Sequence, residues 1–438
     1  MSAHGLAVFS DTARVGTIGF DSLDEQFSFL YDAGWRDGKN TWPLSPWFPL
    51  AGSAPSSSTV RRFLENLLPE GRALDVVAST HRVAKNNIFG LVREIGRETS
   101  GALSFLPVDD SPEQQQTTRR EISSRELQER IRQRNAVPFS VWDGRVRMSI
   151  AGYQDKLSVF VEDGRMFLVE GALASTHILK PEPATERLPH LVANEHFCMA
   201  LARRIGLPAA DVSIERLPDA VLVIKRFDRE RAGDGVRRLH IVDACQALDL
   251  PVSYKYERNF GSGSDVRHIR DGVSFERLFT VANFASRKAL TTQVLTRWAL
   301  FQYLIGNSDA HGKNVSFFCG PAGIEAAPFY DLVSVVAYEG LSHEMAMAYG
   351  DEFELPDVTP FAWADFANRC RLGRGFLARE MVRLARAAAG EAKLQADDPV
   401  YVDDERDAVR RVAALVSQQS ARLLAASKPM TEVDANLL

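Results

Sequence analysis

Apolar residues recur at helical spacing from Val294 through Trp298, Phe301 and Ile305, and Gly306 stands where such a helix would stop. Further upstream the period changes to two. Leu157, Val159 and Val161 alternate with other residues, Asp163-Gly164 suits a tight turn, and Met166 to Val169 can return as the second strand of a hairpin. Thr176 to Lys180 has the character of a short strand ending in lysine, and Ala220 to Ile224 is an apolar, largely β-branched run that predicts another. Between them a helix is expected to begin near Asn194, with Phe197, Leu201 and Ile205 on one face, Gly206 at its end and Glu195 in its first turn. Asp403 to Lys428 sets Val409, Val412, Leu415, Val416, Leu423 and Leu424 among charges, the pattern of a long amphipathic helix. Two stretches lack such order. Tyr254 to Asp271, polar and centred on Asn259-Phe260-Gly261-Ser262-Gly263-Ser264, predicts a mobile substrate-docking loop or plain disorder, and Glu113 to Arg120 a linker.

Composition narrows the class. A chain of 438 residues with 45 % hydrophobic and 25 % charged content predicts two or three domains with an ample core. No signal peptide and no bilayer-spanning apolar run is found, so no membrane association is expected. Cys198, Cys245, Cys319 and Cys370 lie far apart without metal-ligand spacing, which predicts reduced thiols in a cytoplasmic protein and neither zinc nor disulfides. A net charge of −5 argues against a stand-alone nucleic-acid binder.

The helix ending at Gly306 leads into Asn307-Ser308-Asp309-Ala310-His311-Gly312-Lys313-Asn314, and Pro328-Phe329-Tyr330-Asp331 follows. In kinase catalytic loops an Asp addresses the acceptor hydroxyl, an Asn five residues on holds one Mg²⁺, and a later Asp holds the other. Asp309, Asn314 and Asp331 have this order. The same pattern also arises where Asp and Asn only cap or turn, but a polar loop between a buried helix and an apolar-flanked Asp is where function is usually mounted. Phosphoryl transfer is the chemistry such a set serves, because its transition state gathers negative charge that cations and fixed donors offset.

Three upstream segments fit a nucleotide. Ser149-Ile150-Ala151-Gly152-Tyr153-Gln154-Asp155-Lys156 opens the hairpin and could lay backbone N–H groups over phosphates, or be a plain surface turn, since its single glycine meets no nucleotide-loop signature. Lys180 is placed to reach the α- and β-phosphates, or to snorkel from an edge strand, and Glu195 could pair with it or simply favour a helix N-terminus. Lys225-Arg226-Phe227-Asp228-Arg229 suits a hinge whose backbone meets adenine, with Phe227 either against the base or in the core.

Together these segments, with Glu65-Asn66-Leu67-Leu68-Pro69, Glu94-Ile95-Gly96-Arg97, His177-Ile178-Leu179-Lys180 and Asn194-Glu195, resemble the HipA serine/threonine kinases, toxins of bacterial HipBA toxin–antitoxin pairs, over nearly the whole chain. The resemblance implies an α+β, two-lobed protein-kinase-like fold related to phosphoinositide 3-kinases. An N-terminal subdomain would take residues 1–110, a kinase N-lobe 111–224 and a largely helical C-lobe 225–438, with the hinge at about 223–228. It implies ATP and Mg²⁺ as cofactors, Asp309 as the catalytic acid/base, and Asn314 and Asp331 as metal ligands. The nucleotide site would comprise Ala151, Gly152, Tyr153, Gln154, Asp155, Lys156, Lys180, Lys225, Arg226, Phe227, His311, Gly312, Lys313 and Asn314. His311 is read as a loop-ordering hydrogen-bond donor rather than a proton shuttle.

The same resemblance implies autophosphorylation at Ser149, which would add about −1.5 to −2 charges beside an anionic nucleotide and expel the loop. It implies an aminoacyl-tRNA synthetase substrate, foremost the glutamyl enzyme, and a HipB-like helix-turn-helix antitoxin with which the chain co-represses operator DNA. Arg379 and Arg383, within an arginine-rich stretch, are candidate DNA contacts or a solvated helix face. Two other classes compete. A degenerate kinase kept as a regulatory binding protein would be expected to have lost one of Asp309, Asn314, Asp331 or Lys180, and a small-molecule phosphotransferase would lack the N-terminal match.

Overall fold

The computed structural model describes residues 3–143, 145–147, 155–171, 173–233 and 235–438. They fall into two compact units, each assembled from non-contiguous stretches of chain: residues 1–184, 215–252 and 317–325 form one, and residues 185–214, 253–316 and 326–438 the other.

The first unit is built on sheets. Gln26–Tyr31, Ala13–Asp21, Ala3–Ser10 and Leu103–Pro107 form an antiparallel four-stranded sheet in that order. A second sheet runs from the edge strand Val212–Leu217 through Asp219–Lys225, His177–Pro181, Leu157–Glu162 and Arg165–Glu170 to the other edge strand, Thr118–Ile122. Alternation in Leu157–Glu162 and the continuous apolar run in Asp219–Lys225 have the burial they predict. Leu157, Val159, Leu179, Val221 and Val223 share one core with Leu127, Ile131, Phe139 and Trp142. The turn sits at Asp163-Gly164, both with positive φ.

The linker expected over Glu113–Arg120 is corrected here. Thr118–Ile122 is an edge strand paired with Arg165–Glu170, and its polar sequence is what an edge position tolerates. Arg119 lies 3.8 Å from the centroid of the Phe167 ring, so a charged residue closes an apolar face.

The second unit is helical. Leu191–Arg204, Lys288–Ile305, Pro360–Arg369, Arg374–Ala396 and Asp404–Ser427 are its main helices. Lys288–Ile305 is buried on all sides in its C-terminal half, where Trp298 and Tyr303 join Phe275, Tyr349, Trp363 and Phe366 in an aromatic core. The helix expected to begin near Asn194 starts three residues earlier, at Leu191, after His190 in the left-handed region. The sequence concealed this start because no Ser, Thr, Asp or Asn side chain caps it. Glu195 therefore lies beyond the first turn, fully buried, where the helix terminus offers it little. No helix among the described residues is long and apolar enough to cross a membrane.

Candidate active site

The helix Lys288–Ile305 ends at Gly306 with φ 62°, and a Cβ there would meet Val336 Cγ2 at 2.3 Å, so both the conformation and the space select glycine. The chain then turns through a loop whose polar groups are largely spent on itself. Asn307 accepts from the Asp309 N–H at 3.2 Å and donates to Gln302 Oε1 at 2.9 Å and to the Asp331 carbonyl at 3.4 Å. The Asn314 amide donates to the Asp309 carbonyl at 3.0 Å. Ser308 donates to the Ser342 carbonyl at 2.9 Å, and the Tyr330 hydroxyl donates to the Lys313 carbonyl at 2.7 Å. Asn307, a residue the motif contains but to which sequence reasoning assigns no role, thus links the backbones of Asp309 and Asp331, while Asn314 is tied to Asp309 by its own amide.

Within this loop Asp309 alone is exposed, while Asn307, His311, Gly312, Lys313 and Asn314 are buried. Burial pushes the His311 imidazole down to about 3, with Lys255 and Lys313 acting in the same direction and Asp331 opposing. His311 is therefore neutral at physiological pH. Its Nδ1 accepts from the Lys313 N–H at 3.3 Å, so this bond orders the loop with His311 as acceptor and not as the donor expected. Gly312 sits where a Cβ would meet Val273 Cγ2 at 2.6 Å, and its N–H donates to the Lys255 carbonyl at 2.9 Å. Asp331 takes φ 55°, a conformation Asp tolerates better than most residues.

The stretch Tyr254–Asp271, expected to be mobile or disordered, is held at both ends. Lys255 accepts from Gly312, the Glu257 N–H donates to the Ala346 carbonyl at 3.0 Å, and the buried Glu257 carboxylate accepts from the Ala348 N–H at 2.8 Å and from Arg270 Nε at 2.7 Å. Such pairing of non-adjacent residues leaves no periodic trace in sequence. Tyr256, carried on this stretch, donates its hydroxyl to Asp309 Oδ1 and sets its ring edge-on to His311 at 5.0 Å. Among the stretch's three aromatics, Tyr254, Tyr256 and Phe260, nothing in the sequence singles out the one that matters.

In the sheet-built unit, Lys180 occupies a strand flanked by Asp219–Lys225 and Leu157–Glu162, opposite Leu222, and is buried, so it does not snorkel from an edge. Lys156 is buried and Asp155 half-buried, and burial raises the Asp155 carboxyl against the pull of Arg72 and Arg134. Ser149, Ala151, Gly152, Tyr153 and Gln154 lie outside the described residues.

Lys225 is exposed and Phe227 half-buried, its ring edge-on to Phe318 at 5.9 Å. Arg226 departs most from a ligand-facing group. Its N–H donates to the Thr176 carbonyl at 2.9 Å, and its buried guanidinium grips Asp228 through two bonds of 2.9 and 2.8 Å and donates to Ser175 at 2.9 Å. Arg229 donates to Asp228 at 2.8 Å and to the carbonyls of Gly101 and Thr99 at 2.9 and 3.0 Å, and Glu98 lies within 3.7 Å of both guanidiniums. Burial opposes the charge on Asp228, yet Arg226 and Arg229 hold its carboxyl well below the usual range.

Arg379 and Arg383 lie exposed on the helix Arg374–Ala396, Arg383 bonded to Glu380 at 3.1 Å. Among the described residues no group of three or more His, Cys, Asp and Glu could hold a metal ion. Asn and Asp side chains are oxygen donors of the kind Mg²⁺ takes in small number while it keeps waters and shares phosphate oxygens, and here the Asn314 amide is tied to the Asp309 carbonyl and the Asp331 carbonyl to Asn307.

The sequence matches two family models, the HipA N-terminal domain over residues 6–106 and the HipA-like C-terminal domain over residues 148–395. The serine/threonine-protein kinase toxin HipA of Shewanella oneidensis is 42% identical over 376 residues, covering 85% of this chain and 84% of that protein. The fold matches a solved structure of the Shewanella oneidensis toxin–antitoxin system HipA, HipB and its operator DNA, with a TM-score of 0.88 and 37% identity over 98% of this chain and 100% of that one.

Proposed function

This chain belongs to the HipA family of toxin serine/threonine kinases, and from that premise we propose that it transfers phosphate from ATP to a protein hydroxyl with Asp309 as the orienting acid/base. The observation that carries the assignment is the exposed Asp309 carboxylate at the head of a loop otherwise buried and internally bonded. A carboxylate is a weak base for a serine hydroxyl, so Asp309 acts mainly by aligning the acceptor and accepting its proton late. Asn314 and Asp331 would hold Mg²⁺, which supplies charge neutralisation at the phosphates. The nucleotide is assigned Lys156, Lys180 and Asp155, with Ala151, Gly152, Tyr153 and Gln154, from the sheet-built part of the sequence, and His311, Gly312 and Lys313 from the catalytic loop. Lys225 and Phe227 meet adenine. Because the Arg226 guanidinium and N–H are engaged elsewhere, its contact there runs through its carbonyl oxygen.

The reading extends to a two-lobed, phosphoinositide-3-kinase-related arrangement with residues 1–110, 111–224 and 225–438 as subdomain, N-lobe and C-lobe. It includes a HipB-like antitoxin with which the chain co-represses operator DNA, supported by the match to HipA in such a complex. The substrate is an aminoacyl-tRNA synthetase, foremost the glutamyl one, whose modification arrests growth, and phosphorylation of Ser149 limits the enzyme itself. Family resemblance supports both.

Intact and peptide mass spectrometry of the wild type and Asp309→Gln, each incubated with ATP and Mg²⁺, tests the core of this reading. Phosphate on the Ser149 peptide of the wild type alone is the expected result. Its absence from both proteins, with ATP bound, would favour a degenerate kinase that serves only as a regulatory binding partner.

A further inference from the structure

Tyr256 is fixed from three directions. Its backbone is pinned on both sides, since Lys255 accepts from the catalytic-loop Gly312 and Glu257 is tied to Ala346, Ala348 and Arg270. Its ring meets the buried, neutral His311 edge-on at 5.0 Å. Its hydroxyl donates to Asp309 Oδ1.

We propose that Tyr256 is a positioning residue for phosphoryl transfer, its hydroxyl fixing the plane of the Asp309 carboxylate so that the acceptor hydroxyl is aligned. A carboxylate turns about a broad last torsion, and each misdirected orientation lowers the fraction of encounters from which transfer can occur. The neighbouring Asn314 amide and Asn307 bond the backbone of Asp309, through its carbonyl and its N–H. Tyr256 holds the side chain itself. The inference rests on Asp309 being the acid/base of the proposed kinase and adds the group that aims it.

The test is the single-hydroxyl deletion Tyr256→Phe, which keeps the ring against His311. Wild type, Tyr256→Phe and Asp309→Gln are compared for initial rates of radiolabelled phosphate transfer from ATP, with Mg²⁺, to dephosphorylated casein and to the chain itself. Binding of a fluorescent ATP analogue and the melting temperature are measured alongside. The expected result is a fall in kcat of about tenfold, the size of effect that losing one transition-state alignment contact gives. The KM for ATP, analogue binding and melting temperature stay at wild-type values. A structural contact alone would leave kcat at the wild-type value, and a hydroxyl that blocks the acceptor would raise it; either result overturns the proposal. If Asp309→Gln is inactive while Tyr256→Phe matches the wild type, the positioning role alone falls. If Asp309→Gln retains wild-type transfer, or the wild type transfers nothing, the reading of Asp309 falls and that of Tyr256 with it.

Discussion

Two charged segments of this chain look alike as sequence and differ in everything physical. Lys225-Arg226-Phe227-Asp228-Arg229 folds its inner charges into a buried network, with Arg226, Asp228 and Arg229 each less than a tenth exposed and bonded to one another and to Thr99, Gly101 and Ser175. Asp309 to Asn314 does the reverse. It buries Ala310, His311, Gly312, Lys313 and Asn314 around one exposed carboxylate. In the first, the charges of Arg226, Asp228 and Arg229 are engaged by protein and are unavailable to a ligand. In the second, the protein's bonds hold the loop so that one charge can face outward. Charge in a motif therefore says little about its use until the partners of each group are known.

The sharpest way to break this contrast is to remove one carboxylate from each segment. Asp309→Gln should lower phosphate transfer by about 10²–10⁴-fold, the usual worth of a positioned acid/base. Denaturant unfolding should show it as stable as the wild type. Asp228→Ala should do the opposite first, because it strands two buried guanidiniums and removes about 3–5 kcal/mol of stability. The Asp228 carboxyl is depressed in the fold, so its contribution is complete above the unfolded value of about 4 and is lost as pH falls below it. Asp228→Asn should consequently show a flatter acid limb of stability than the wild type. Equal destabilisation by the Asp309 and Asp228 substitutions would erase the distinction.

A smaller perturbation probes the loop's packing alone. Gly312→Ala drives a Cβ against Val273, which is fully buried and has little room to give. Overpacking of this kind costs about 1–3 kcal/mol, and because Gly312 also bonds Lys255, phosphate transfer should fall as well. A wild-type rate and melting curve would mean that the loop tolerates displacement.

How much of this was legible beforehand follows from the range of the interactions. The hairpin at Asp163-Gly164, the helix stop at Gly306 and the helix Asp404–Ser427 rest on local periodicity and turn chemistry, and the sequence carries both. The family motifs likewise carried the identification. The edge strand Thr118–Ile122 was hidden because a polar strand has no apolar period, and paired residues such as Ile122 and Met166 lie far apart in the chain. Tyr256 was hidden because its significance is a contact with Asp309, 53 residues on. The Arg226–Asp228–Arg229 network was hidden for the same reason, since its acceptors Thr99 and Gly101 come from a distant stretch.

His240 sharpens the comparison through pH, as a buried titratable group in the sheet-built unit. Burial pushes its imidazole down to about 4, its Nε2 lies 2.7 Å from the Leu44 carbonyl, and its ring stacks on Trp42 at 4.3 Å. A depressed histidine leaves stability intact above its unfolded value of about 6.5 and removes it as pH falls toward the folded value, with a slope of up to about 1.4 kcal/mol per pH unit. His240→Gln, which does not titrate, should lose that slope between about pH 6 and 4. An unchanged slope would assign the acid sensitivity elsewhere.

The smallest expected effect concerns Arg379, which is exposed on Arg374–Ala396, whereas its neighbour Arg383 is bonded to Glu380. A solvated arginine contributes within about 0.5 kcal/mol to stability, so Arg379→Ala should leave melting and phosphate transfer unchanged. If it meets a phosphate in an operator-bound complex, the dependence of log affinity on log salt should lose about one unit of slope. Arg383→Ala should lose no more than this and should also loosen Glu380, whose carboxylate then keeps Arg297 and Gln293. Operator titrations of the chain bound to its antitoxin, at several salt concentrations, measure both. An unaltered slope in both variants would make this helix a solvated face, placing its arginines with neither the buried network nor the exposed carboxylate.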